Sequence, residues 1–227
     1  MASAFAALLL GLVLGMRHAT DADHVVAVTT IVSRERSIRS AGVIGAAWGV
    51  GHTLTILLVG GAIILFSIAI PPRLGLAMEF SVALMLIVLG AANLLGLARG
   101  LSQGVHGHDH GPPQLRRLPL ARSLMVGTVH GLAGSAGVTL LVLATIHEPR
   151  WALLYLLLFG GGTVVGMMLL TSVIAVPFAL AADRFGRVNR LLVQITSLVS
   201  ISLGLFLAHR IGVADGLFSA SPHWMPG

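Results

Sequence analysis

The chain has no cysteine and no lysine. Without thiols there can be no disulfide staples, thiolate metal sites or dithiol relay in the membrane. Charge is scarce as well: 10% of the 227 residues are charged, against about 25% in an ordinary soluble domain. Hydrophobic residues reach 56%. Together these figures exclude a soluble enzyme, a disordered chain and a nucleic-acid binder. The net charge of +6 is carried by 14 basic residues, all arginine, against 8 acidic ones. In so apolar a chain it reads as loop charge beside a bilayer.

Apolar stretches of about 20 residues mark transmembrane helices. Six are predicted, at 3–32, 41–70, 74–98, 119–146, 151–180 and 189–210. Several exceed the thickness of a bilayer, which predicts tilted or broken helices. Met1-Ala2-Ser3 offers no basic n-region, and the first apolar run continues through 25–32, which argues against a cleaved signal peptide. Six spans divide the loops into two sets. Ten arginines fall in one set and three (Arg73, Arg150 and Arg210) in the other. This bias puts both termini outside and the connections after spans one, three and five in the cytoplasm of a cell with this protein in its inner membrane.

Short strings recur along the chain. Gly15-Met16-Arg17-His18-Ala19 matches Gly127-Thr128-Val129-His130-Gly131 at an offset of 112; Trp48-Gly49-Val50-Gly51-His52-Thr53 matches Phe159-Gly160-Gly161-Gly162-Thr163-Val164 at 111; Leu89-Gly90 matches Leu203-Gly204 at 114. A constant order at nearly one offset predicts a duplicated unit. Because three spans is an odd number, the second copy enters upside down, as in many secondary transporters. The expected fold is an all-α integral membrane protein of six transmembrane helices in two inverted three-helix repeats. Residues 1–98 form the first repeat, 99–118 a cytoplasmic linker and 119–227 the second repeat, all in one membrane domain. Ser3, Ala7, Gly11, Gly15 and Ala19 place a small residue every fourth position, a pattern that lets helices approach closely in lipid.

Arg17, His18, Asp21, Asp23 and His24 lie within eight residues of the first span. At about 2.5–3.5 kcal/mol per charge on insertion scales, Arg17 and two carboxylates cost roughly 8–10 kcal/mol if unpaired. A whole fold is stable by about 5–15 kcal/mol, so the cluster must be paired, wet or loaded with a cation. On a helix turning about 100° per residue, His18, Asp21 and His24 share a face and Arg17 can act as counter-ion to Asp21. Asp23 points elsewhere on a regular helix. Either it orients a histidine on a neighbouring helix, or the helix breaks and brings Asp23 into the site. His52 and His130, each twelve residues into its span, are further candidates; either one alone also suits an interhelical hydrogen bond. Asn93 lies nearer the cytoplasmic end of span three. The resulting set, His18, Asp21, Asp23, His24, His52 and His130, offers nitrogen and oxygen only. Such donors suit Ni(II), Co(II), Zn(II) or Cu(II) and disfavour Cu(I). His106, His108 and His110 in the linker suit weak metal capture, whereas His147, His209 and His223 look incidental.

The segment from Arg17 to His24 resembles the His-x4-Asp-His signature of the nickel/cobalt transporter (NiCoT) family. Gly51-His52-Thr53 is similar to that family's second histidine motif. His130-Gly131-Leu132-Ala133-Gly134-Ser135 is similar to its short, six-span nickel-transport and urease-accessory relatives. Larger members have eight spans and carry Asp-Asn before a Thr-Arg pair where Val28, Thr29 and Thr30 stand here. Both departures favour the short branch. The resemblance implies Ni(II) or Co(II) as transported substrate, no prosthetic group, and a cytoplasmic nickel chaperone or nickel-enzyme maturation system as partner. The expected function is uptake of divalent nickel by alternating access. Three alternatives stay open: efflux of the same ions by proton antiport, metal delivery without transport, and an intramembrane zinc hydrolase built on His18, His24, His130, Asp21 and Ser135.

Overall fold

The computed structural model describes residues 2–33, 35, 37–66, 70–102, 117–132, 148–184, 186–219 and 221–224. The regular elements among them are all helical: α1 (Ala2–His18), α2 (Ala22–Val32), α3 (Ile38–Phe66), α4 (Pro72–Ser102), α5 (Arg117–Leu132), α6 (Pro149–Arg184) and α7 (Gly186–His209), which runs into a π-helical turn at Arg210–Ala214. Among the described residues, four stretches are long and apolar enough to cross a membrane, Ile38–Phe66, Pro72–Ala98, Pro149–Leu180 and Gly186–Ala214. They correspond to predicted spans two, three, five and six. Predicted span four is α5 as far as Leu132; its remainder, most of the linker with His106, His108 and His110, and Ser135 lie outside the described residues.

Predicted span one is two helices rather than one. After His18 the backbone tightens: the Thr20 N–H donates to the Arg17 carbonyl at 2.8 Å and the Asp21 N–H to the His18 carbonyl at 3.1 Å. The Thr20 hydroxyl also donates to the Arg17 carbonyl, at 2.6 Å. Asp21 is extended, with φ −62° and ψ 147°, and α2 starts from it, the Val25 N–H reaching its carbonyl at 2.9 Å. Thr and Asp compete with helical hydrogen bonding through their own side chains. Thr20 does so here, and the Asp21 carboxylate is held by the His18 ring beside the break.

The helices pack as four principal pairs: α1 on α6, α3 on α5, α3 on α6, and α4 on α7. Glycines set the spacing, and the contacts recur at the offsets of the repeated strings. A methyl group at Gly15 would collide with the Phe159 carbonyl, and one at Gly127 with the Trp48 carbonyl; 15 + 112 is 127 and 48 + 111 is 159. Gly162 meets the Leu12 carbonyl as Gly51 meets that of Leu124. Gly90 meets the Ser197 carbonyl as Gly204 meets that of Ala83. Lipid provides no hydrophobic drive for helix association, so this backbone-to-backbone packing and interhelical hydroxyl bonds carry much of the cohesion. Among the latter, Thr53 Oγ1 donates to the Gly160 carbonyl at 3.0 Å and Thr55 Oγ1 to the Thr128 carbonyl at 3.0 Å. Asn93 on α4 donates to the Thr30 carbonyl and to Ser33 Oγ, both at 2.9 Å, and so fastens the carboxyl end of α2.

Two separate apolar clusters form the core. One gathers Trp48, Val28, Leu86, Val126 and Met167 with their neighbours; the other gathers Ile56, Tyr155, Leu156 and Phe159. The histidines touch both, through Trp48 and Phe159.

Candidate metal centre

The break between α1 and α2 brings His18, the last residue of α1, close to His24 on the first turn of α2. Their ring centroids are 4.6 Å apart. α3 contributes His52 and α5 contributes His130. His24, His52 and His130 are fully buried and His18 is 6% exposed. Four imidazoles from four helices thus form one layer. Its centroid separations are 5.1 Å for His18–His52, 5.1 Å for His24–His52 and 4.1 Å for His24–His130.

Carboxylates fix the rings. His18 Nδ1–H donates to Asp21 Oδ2 at 2.8 Å. This leaves His18 Nε2 as a lone-pair nitrogen, and it lies 3.0 Å from His52 Nε2. Nitrogens at 90° around a metal with bonds of about 2.1 Å lie about 3.0 Å apart, so the spacing suits two ligands of one ion. Asp23 accepts twice: from His24 Nδ1–H at Oδ1, 3.1 Å, and from His130 Nε2–H at Oδ2, 2.8 Å. His24 Nε2, His52 Nδ1 and His130 Nδ1 are buried with no hydrogen-bond partner among the described residues. Unpaired buried nitrogens are costly in an apolar interior, and of these three it is His24 Nε2 that is free to meet a cation while its Nδ1–H stays on Asp23. A ring held by a carboxylate at one nitrogen with the other bare is the usual posture of a metal-binding histidine. The side chains of Asp21 and Asp23 are 45% and 22% exposed, whereas the imidazoles they hold are buried.

Of the predicted residues, the structure brings together His18, Asp21, Asp23, His24, His52 and His130. Two donor groups emerge, His18–His24–His52 and Asp23–His24–His130, each with donor atoms within 4.8 Å of one another. Both expectations for Asp23 hold at once: the helix is broken, and Asp23 orients a histidine on a neighbouring helix. Arg17 is exposed and makes no ion pair with Asp21 among the described residues. The partner of Asp21 is His18. Asn93 bonds to α2 away from the histidine layer.

Trp48 and Phe159 were not singled out by the sequence. The Trp48 ring stacks on His24 at 5.9 Å and 6°, and meets the His130 ring at 5.4 Å; the Phe159 ring lies 5.5 Å from His18. The signal was present, since the repeat offset of 111 maps one aromatic residue onto the other.

The chain has the long apolar helices of a polytopic membrane protein, and its buried imidazole–carboxylate cluster offers donor groups of the metal-binding type. Over 215 residues, 93% of this chain and 94% of the relative, it is 38% identical to the urease accessory protein UreH of Bacillus sp. (strain TB-90). The chain belongs to the UreH family of urease accessory proteins. No protein-family model matches it, and no solved structure matches it.

Proposed function

We propose that the protein carries Ni(II), or Co(II) as the motif resemblance also allows, inward across the cytoplasmic membrane and thereby supplies a nickel enzyme of the urease kind. One observation carries this reading: His18 Nε2 and His52 Nε2 stand 3.0 Å apart beside the bare Nε2 of His24, all three rings buried and two of them held by carboxylates. The donor set of nitrogen with oxygen suits Ni(II). The motif resemblance points to the same ion, and the relative's name connects the family with urease.

The arrangement also supports two inverted three-helix repeats and six spans. In this reading α1 with α2 forms the first span, α3 and α4 the next two, and α5 belongs to the fourth. Reciprocal contacts such as Gly15–Phe159 and Gly127–Trp48 are what a twofold axis in the membrane plane produces. Both termini then face outward, as the arginine bias requires. The cation site sits where the halves meet, at a discontinuous helix, and access alternates as one half rocks on the other. Phe159 covers the layer beside His18, and its repeat mate Trp48 covers it beside His130. Entry of a dication is favoured by about 4.6 kcal/mol per 100 mV, twice the single-charge value, so no nucleotide is needed.

The deciding experiment is purified protein in sealed vesicles with a nickel-sensitive dye inside. An inside-negative potential is expected to drive dye quenching, and His18→Ala to abolish it. Quenching that is unchanged in this variant, or that proceeds only outward, sinks the reading.

A further inference from the structure

The six donors do not converge on one point. They divide into two groups, His18–His24–His52 and Asp23–His24–His130, with His24 common to both. Building on the nickel-carrier reading, we propose that the ion occupies two successive positions, passed from the first group to the second across the His24 ring.

The geometry gives each position its own nitrogen of His24. Nδ1 faces Asp23, 3.1 Å from Oδ1. Nε2 has no partner there and is the nitrogen left for His18 and His52. The second position is now filled by two hydrogens, on His24 Nδ1 and His130 Nε2, both directed at Asp23. An ion arriving there takes their place. The two hydrogens move to His24 Nε2 and His130 Nδ1, the bare nitrogens of the same rings, so no proton is gained or lost. A neutral imidazole has only one lone-pair nitrogen. His24 therefore serves one position at a time, and the chain holds a single ion despite having two groups of donors.

The surroundings match a two-step path. The first position lies beside Phe159 through His18, at 5.5 Å; the second lies beside Trp48 through His130, at 5.4 Å. His18 and His130 are repeat mates at offset 112, and Trp48 and Phe159 at offset 111. Phe159 thus lies beside a ring of the first position only, and Trp48 beside His130 and the shared His24.

Equilibrium dialysis of the purified full chain with radioactive nickel tests this, together with X-ray absorption at the nickel edge and vesicle uptake. One ion per chain is expected. His130→Gln keeps a side-chain N–H for Asp23. It is expected to hold nickel with a loss well under the ~10–100-fold that goes with a disturbed metal site, yet to lose uptake. His52→Gln is expected to move the ion to the second position, with fewer imidazoles and a carboxylate in its shell. Two ions per chain would overturn the proposal. So would equal loss of binding in the two variants, or wild-type uptake by His130→Gln. Gel filtration and helical circular dichroism identify a variant that has not folded, and His130→Asn then replaces His130→Gln. If the wild type binds nickel but moves none, the carrier reading falls, while ion count and shell still decide between one position and two.

Discussion

His18 and His52 meet nitrogen to nitrogen at 3.0 Å although 34 residues separate them in the chain. The contact exists because α1 stops at His18, which turns the ring toward α3. Removing either ring takes away one side of the proposed first position. Asp21 acts through the ring it holds, and Asp23 through two rings and as a donor of the proposed second position. Asp21→Asn is expected to weaken nickel binding by about tenfold and Asp23→Asn, which loosens two rings, by nearer 100-fold, the span seen when such outer partners are lost. Calorimetry on the purified variants measures both. A larger effect for Asp21→Asn would contradict the double role of Asp23.

Nickel binding needs lone-pair nitrogens, so protons compete with the ion. Acidification is expected to weaken binding, and raising the pH to restore it. Dialysis at constant nickel between about pH 5 and pH 8 reads the sign directly. Binding that strengthens on acidification would exclude imidazole ligation.

Gly15 and Gly127 occupy equivalent close contacts against the Phe159 and Trp48 carbonyls. Gly15→Val and Gly127→Val are each expected to destabilise the fold by about 1–3 kcal/mol, the cost of overpacking a filled interface. Gly161→Ala is the control, since nothing lies within 4 Å of an added methyl there. Thermal unfolding in detergent compares the three. Ala favours a helix over Gly, so a control as damaging as the other two would show that close approach does not set the effect.

Trp48 and Phe159 cover the histidine layer through different rings. With no native cysteine, single reporters are clean. Leu14→Cys and Val126→Cys, repeat mates one turn before His18 and His130, serve this purpose. Phe159→Ala is expected to raise impermeant maleimide labelling of the first from one face of a vesicle, and Trp48→Ala that of the second from the opposite face. Both reporters opening to the same face would remove the case for opposed covers.

The sequence carried most of the site. Charged and imidazole groups in an apolar run are expensive, so their clustering at 17–24 announces function from composition and spacing alone. The small-residue strings that predict the repeat are also the residues whose contacts recur in pairs, because close backbone approach permits few other side chains. What the sequence could not give was the consequence of the break at 19–21. A regular helix puts Asp23 away from His18 and His24, and Arg17 beside Asp21. Once the chain turns at Asp21, Asp23 swings between His24 and His130, and Asp21 takes His18 instead. The aromatic covers were missed for a related reason. A Trp or Phe in a lipid-soluble sequence looks like any other apolar residue until its ring is seen lying on a histidine.

The pairing of α1 with α6 also bears on how the protein is made. The polar segment 17–24 is synthesised more than a hundred residues before α6 and His130. Until they follow, Asp23 lacks one of its two imidazoles and α1 lacks the glycine-lined groove that receives it. A nascent chain stalled between the halves therefore exposes ionisable groups to lipid or to the insertion machinery, and membrane quality control has in that segment a direct mark of an unfinished molecule.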